Sequence, residues 1–266
     1  MIFPFEYPCV MGILNITKDS FYDGGSYLTD ENILQRAGQI LSEGGTIIDI
    51  GAVSTRPGAL EIPEEKEKEL IVHALKLILQ QYPDAIISVD TWRASVAEKA
   101  IVSGASIIND ISGGTFDPNM AQIVGTYQIP YILMHTTDKP EKMQQHTMGE
   151  KPLAELLQFF GKQIDLFLQA GCHDLILDPG FGFGKTLEQN FFLLKNLQAL
   201  QIFDKPILVG ISRKSMIYKT LKTSPQQALN GTTTLNTIAL LKGASILRVH
   251  DVKEAVEVIK LYQKIA

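Results

Sequence analysis

Short runs of β-favouring apolar residues alternate with longer stretches of helical periodicity along the whole chain, a pattern few folds accommodate. The runs CVMGILN, TIIDIG, AIISVD, SIIND, PYILMH, DLILD, PILVGIS and SILRVH give eight candidate strands. Helical patterns lie near residues 30–43, 64–81, 93–103, 118–127, 152–170, 187–200, 225–241 and 252–264. Strand followed by helix is the unit of a parallel sheet, and eight such units predict an α/β fold closed into a (β/α)8 TIM barrel. The 266 residues match one barrel of about 250 residues. No linker-like or low-complexity segment divides them, so residues 1–266 are expected to form one domain.

Several boundaries carry chemical marks. Thr29-Asp30 can cap the first helix, Gly44-Gly45 can end it, and Pro152 suits an early helical position. The EEKEKE opening of the second helix, with Glu64 and Lys68 four apart, reads as a solvated face with acid in its first turn. Net charge is -5 and no Lys/Arg cluster marks a nucleic-acid footprint, so an anionic partner must be met locally. The opening MIFPFEYPCVMGILNIT lacks the basic head of a signal peptide, and no segment approaches the roughly 18 unbroken apolar residues of a membrane span. A cytoplasmic protein without membrane or nucleic-acid partners is expected. Cys9 and Cys172 sit in apolar or strand-flanking contexts and read as reduced structural residues.

The strand ends are the informative positions. At or just after the eight runs stand Asn15, Ser54 to Arg56, Asp90, Asn109, His135, Asp178, Ser212 to Lys214, and Arg248 with His250. Any one Asp or Asn there could cap the next helix. Polar groups at every strand end point instead to the C-terminal face of a barrel, where active sites are built.

One stretch, ILDPGFGFGKT (Ile176 to Thr186), imitates a phosphate-binding loop and fails on spacing. A Walker A loop needs glycine where Pro179 stands, and a dinucleotide fingerprint needs its third glycine where Lys185 stands. The glycines at 180, 182 and 184 let the backbone turn tightly beside Asp178, and Lys185 reads as an exposed lysine without a role.

Taken in order, MGILNITKDSFYDGG, IGAVSTRPGA, SVDTWRASVAEKA, IINDISGG, LDPGFGFGKT, GISRKSMI and RVHDV resemble the dihydropteroate synthase family of pterin-binding barrels from Met11 to about Val252. The resemblance implies an enzyme that joins 6-hydroxymethyl-7,8-dihydropterin pyrophosphate to 4-aminobenzoate in folate biosynthesis, a target of sulfonamides. It assigns Asp178 to the fork of N–H donors on the pterin, a match that a carboxylate makes well. Asp90 and Asn109 fall on the other ring nitrogens, Lys214 on the carbonyl side and Met134 on the ring face. Arg248, His250, Arg56 and Asn15 fall on the pyrophosphate, and Asn15 also on Mg2+. Phe21, Thr55, Pro57, Phe183, Lys214 and Ser215 fall on 4-aminobenzoate, with a helix N-terminus near Ser215 favouring its carboxylate. Asp19, Arg56, Lys214, Arg248 and His250 form the implied catalytic set. The family also implies a homodimer through the late helices.

The chain departs from the family's usual residues at Lys18, Tyr22, Val53 and Thr136-Thr137-Asp138. Those changes touch loops rather than the pterin pocket. Two other readings share the barrel: a pterin-dependent corrinoid methyltransferase, which needs no anion site, and a non-catalytic pterin-binding relative, which need not keep Lys214 or Arg248. The metal-ligand spacing of a zinc site is not seen.

Overall fold

The computed structural model describes residues 6–16, 29–53, 62–143 and 145–265. Its strands are β1 (Cys9–Asn15), β2 (Ile47–Gly51), β3 (Ile86–Asp90), β4 (Ile107–Asp110), β5 (Tyr131–Met134), β6 (Leu175–Asp178), β7 (Leu208–Val209) and β8 (Ile246–Val249). All pair in parallel, in the order β6-β5-β4-β3-β2-β1-β8-β7. A parallel bridge between Leu177 and Ile207 joins the two remaining edges, and the Leu177 amide donates to the Pro206 carbonyl at 2.9 Å. The sheet is thereby the expected eight-stranded barrel.

Around it lie α1 (Asp30–Ser42), α2 (Glu64–Gln81), α3 (Ala94–Val102), α4 (Met120–Tyr127), α5 (Pro152–Gln169), α6 (Leu187–Lys195), α7 (Ser215–Thr220), α8 (Leu229–Leu241) and α9 (Val252–Tyr262). Thr29 caps α1 by accepting from the Asn32 amide, and Gly44 leaves it at φ 92°. Two expected helices are interrupted. The 187–200 pattern ends its α-helix at Lys195 and continues as a 3-10 helix, Leu197–Phe203; the 225–241 pattern opens with a 3-10 turn, Pro225–Gln227. The helix beginning at Ser215 is short, so two α-helices separate β7 from β8. The PILVGIS run pairs over only two residues, because beyond Gly210 its backbone turns toward α7.

Period-two alternation explains where the site lies. Met11, Ile47, Ile107, Ile132, Ile176, Leu208 and Ile246 form one buried cluster inside the barrel, while Ile48, Ile50, Ile87, Val89 and Ile108 join the helix-facing core. Each buried Ile or Leu of that plug contributes about 1.5–3 kcal/mol. Two residues further along the inward rows, the side chains become Asp49, Ser88, Asn109, Met134, Asp178 and Arg248. The barrel is therefore filled with apolar side chains below and, Met134 apart, with hydrogen-bonding groups above. Cys9 and Cys172 are both buried, and burial pushes both thiols up to about 12, which suits a structural role. Among the described residues no helix is long and apolar enough to cross a membrane.

The outer layer has one very close approach. A Cβ built on Gly125 of α4 would lie 1.8 Å from the Ala170 carbonyl oxygen, a backbone atom that cannot rotate away. Gly125→Ala is expected to lower stability by about 1–3 kcal/mol in urea unfolding, through forced displacement of α5. An unchanged midpoint would mean that the two helices part at no cost.

Candidate active site

At the polar level of the barrel one guanidinium meets two carboxylates. Arg248 on β8 donates through Nε to Asp49 of β2 at 2.6 Å and through Nη2 to Asp90 of β3 at 2.9 Å. Asp49 also accepts from the Asn109 side-chain amide at 3.1 and 3.3 Å. With its NH2 group turned to Asp49, Asn109 presents its carbonyl oxygen elsewhere. Burial pushes Asp90 up to about 7 against the pull of Arg248, with Asp49 and Asp110 adding to the rise. Arg248 holds its proton more tightly than a free guanidinium: burial opposes the charge, and Asp49 and Asp90 outweigh it.

Asp178 ends β6, buried, and accepts from the Gly180 amide at 2.7 Å. Burial raises its pKa, and Lys214 opposes the rise. Lys214 donates to the Phe181 carbonyl and places Nζ 4.7 Å from the centre of the Phe183 ring. Burial brings Lys214 down to about 8, against the attraction of Asp178. Its neighbour Arg213 turns away to pair with Asp251, so Lys214 alone of the Arg-Lys pair enters the site. Met134 is buried beside Asp178 in the β5–β6 register, and Ser215 opens α7.

His250 is held by backbone and side chain together. Its carbonyl accepts from Arg36 Nη2 of α1 at 2.7 Å, and its amide donates to Ser212 Oγ at 3.2 Å. That hydroxyl lies 3.1 Å from His250 Nδ1. Ser212 thus holds His250 at both its backbone amide and its ring. Burial, with Arg248 and Arg213 nearby, pushes His250 down to about 3, so the imidazole is neutral.

The structure corrects the reading of Lys185. It is only 4% exposed, and its Nζ contacts His135 Nδ1 at 3.0 Å, the His135 carbonyl at 3.2 Å and the Phe183 carbonyl at 2.9 Å. Burial brings it down to about 7. A Gly-Lys-Thr ending resembles an exposed turn in sequence; here α6 begins at once, and the turn folds inward against the end of β5. Asp49 was the other omission. Its signal lies in IIDIG, where alternation from Ile47 through Asp49 to Gly51 places a carboxylate on the inward row. Arg36 had no such signal, since the partners that tie it to the site are backbone carbonyls distant in sequence. Asn15 ends β1 and shares its register with Gly51. Asp19, Phe21, Thr55, Arg56 and Pro57 lie outside the described residues, as do Lys18 and Tyr22.

The comparisons with known proteins agree with this arrangement. Residues 11–250 match the model of the pterin binding enzyme family. Dihydropteroate synthase of Escherichia coli strain K12 is 40% identical over 260 residues, covering 97% of this chain and 92% of that protein. A Yersinia pestis dihydropteroate synthase solved in complex with a sulfonamide drug superposes with a TM-score of 0.93 at 41% identity, covering 97% of this chain and 94% of that one. A Xanthomonas albilineans dihydropteroate synthase solved with 4-aminobenzoic acid gives 0.89 at 34% identity, covering 97% and 93%. The chain belongs to the pterin-binding enzyme family. Within that family it stands with the dihydropteroate synthases, transferases of folate synthesis, rather than with the two other barrel readings.

The charge arrangement makes two substitutions unequal. Asp49→Asn removes one acceptor while Asp90 still neutralises Arg248, an expected cost of about 1–3 kcal/mol. Arg248→Met strands two buried carboxylates and should cost about 3–5 kcal/mol. Urea unfolding at neutral pH should rank them in that order. The Arg248→Met deficit should shrink on acidification, because Asp90, whose folded pKa is raised, is destabilising only where it must ionise. Equal costs, or no pH dependence, would contradict the shared-cation geometry.

Proposed function

We propose that the polar mouth of this barrel joins 6-hydroxymethyl-7,8-dihydropterin pyrophosphate to 4-aminobenzoate, releasing pyrophosphate, with the residue roles set out below. The observation that carries the reading is the orientation of Asn109. Its amide hydrogens are taken up by Asp49, so the mouth offers acceptors from Asp178, Asp90 and Asn109, with Lys214 as a donor near Asp178. A pterin edge has that complement of N–H donors and one carbonyl. Asp178 takes the paired donors, Asp90 and Asn109 the other nitrogens, Lys214 the carbonyl side, and Met134 packs on the ring. A polar heterocycle buried without these partners would be costly.

The leaving group falls to β8. Arg248 commits Nε and Nη2 to carboxylates, and its guanidinium charge, with the neighbouring His250 imidazole, takes the phosphates. Arg56 and Asp19 belong to the same role. Asn15 suits magnesium as a single neutral oxygen donor. Among the described residues no group of three His, Cys, Asp or Glu could hold a metal alone, so the ion would rely on substrate oxygens and water. Magnesium would supply charge neutralisation on the departing pyrophosphate. No protein nucleophile is required: the carbon–oxygen bond to pyrophosphate breaks, the pterin stabilises the cation, and the aromatic amine attacks. Positioning and electrostatics account for the rate.

For 4-aminobenzoate, Phe183 forms the apolar wall and Lys214 with the start of α7 meets the carboxylate, with Phe21, Thr55 and Pro57 completing the pocket. Sulfonamides would compete there. Ile238 and Leu241 of α8, Leu261 of α9 and Leu221 expose apolar side chains, which suits a second copy of the chain as partner; a monomer in sedimentation equilibrium would remove that proposal. A cytoplasmic setting suits the two reduced, buried thiols.

The direct test is release of pyrophosphate that requires pterin pyrophosphate, 4-aminobenzoate and magnesium together. Release without the amine would mean hydrolysis instead. A pH profile tests Lys214 separately. With its folded pKa lowered to about 8, the ammonium is lost as pH rises through 8, so kcat/KM should fall above that value. In Lys214→Arg the alkaline limb should move by about 2 units or more, since guanidinium stays charged. A limb that stays in place would assign it to another group.

A further inference from the structure

Lys185 makes three contacts that the reaction does not use. Its Nζ lies within 3.2 Å of His135 Nδ1, the His135 carbonyl and the Phe183 carbonyl, one acceptor for each N–H of an ammonium group. Two of the three acceptors are backbone oxygens on different loops: the end of β5 and the turn after β6. Those loops already touch, once at backbone and once at a side chain. A Cβ on Gly180 would lie 2.0 Å from the His135 carbonyl oxygen, and one on Gly184 would lie 1.6 Å from Thr137 Oγ1.

The turn is fixed on its other side by Asn190 of α6, which accepts from the Gly182 amide at 2.7 Å and donates to the Lys185 carbonyl at 3.2 Å. Phe183 lies between these anchors, and its amide donates to the Gly180 carbonyl at 3.1 Å. With its own amide and carbonyl both engaged, the peptide that carries the ring has one orientation. His135 is a firm support, neutral by burial and edge-on to Phe159 at 4.8 Å.

We propose that Lys185 is a positioning residue of the 4-aminobenzoate subsite, holding the Phe183 backbone so that its ring stands as a fixed wall opposite Lys214. This rests on the reading of Phe183 as that wall. A lysine that only stabilised the fold would affect both substrates alike, whereas one that sets the ring affects the amine substrate through Phe183.

The experiment is a double-mutant cycle on the full chain, with Lys185→Met, Phe183→Leu and the double variant, reading KM for each substrate and kcat. Lys185→Met should raise KM for 4-aminobenzoate about tenfold, as expected for a displaced positioning group, and leave KM for pterin pyrophosphate within about twofold. Phe183→Leu should produce a similar rise, and the double variant should be no worse than the poorer single one. Additive losses, or equal rises for both substrates, overturn the proposal. If Phe183→Leu leaves the 4-aminobenzoate KM unchanged, the subsite reading itself fails. If Phe183→Leu raises it and Lys185→Met does not, only the role of Lys185 fails. Should Lys185→Met not fold, His135→Leu removes one acceptor while leaving both carbonyls, and a smaller rise in the same KM is expected; no rise in a folded His135→Leu protein overturns the proposal.

Discussion

One buried guanidinium governs the mouth of this barrel. Arg248 reaches from β8 across the interior to Asp49 and Asp90, and Asp49 in turn orients Asn109. An isolated carboxylate at that depth would take up a proton rather than remain charged. Holding two carboxylates beside one arginine therefore shapes the acceptor ring and sets its charge. The cost appears in Asp90, which burial brings up to about 7 even in contact with Arg248. Lys214 and Lys185 supply the further positive charge near Asp178. Asp49, Asp90 and Asp178 thus stand against Arg248, Lys214 and Lys185, and the third cation is the one that looked incidental in sequence.

Much of the fold was legible because its information is local and periodic. β1 and α2 coincide with the residues expected from CVMGILN and from 64–81, and the other strands differ by a residue or so at their ends. β7 is the exception. PILVGIS has the composition of a strand, but pairing depends on neighbours, and after Gly210 the chain must turn so that Ser212 reaches His250 and Lys214 reaches the mouth. The breaks at Lys195 and at Ala228 are backbone choices between α and 3-10 geometry that apolar periodicity barely records.

The site was legible in a different way. Strand-end polarity located Asp90, Asn109, Asp178, Arg248 and His250, because each ends an inward-facing row. What escaped were residues whose roles depend on contacts distant in sequence. Arg36 acts on the β1 and β8 backbones from α1, Ser212 holds the amide and ring of His250, and Lys185 serves carbonyls on two loops. No spacing rule announces a lysine that donates only to backbone and a histidine. Asp49 is the one omission that stricter use of alternation along β2 would have recovered.

The alternating glycines of GFGFG follow from the same packing. Gly180, Gly182 and Gly184 have φ of 67°, 84° and 61°, a region that side chains disfavour, and two of them also lie against the β5 end with no room for a Cβ. A phosphate loop uses such glycines to aim amide hydrogens outward at an anion. Here the Gly180 amide points to Asp178, the Gly182 amide to Asn190, and the lysine of Gly-Lys-Thr turns inward to peptide oxygens. The loop turns these donors on its own groups rather than outward at an anion, and what it presents to a ligand is a carboxylate and an aromatic ring. The unusual Thr136-Thr137-Asp138 segment fits the same contact. Thr136 donates to the Asp138 carbonyl at 2.9 Å, the Asp138 carboxylate pairs with His146, and Thr137 occupies the space that Gly184 leaves open. A departure at the β5 end is thus accommodated by the Thr136 and Asp138 bonds and by an existing glycine, while the His135 amide just before it still donates to the Asp178 carbonyl at 3.0 Å.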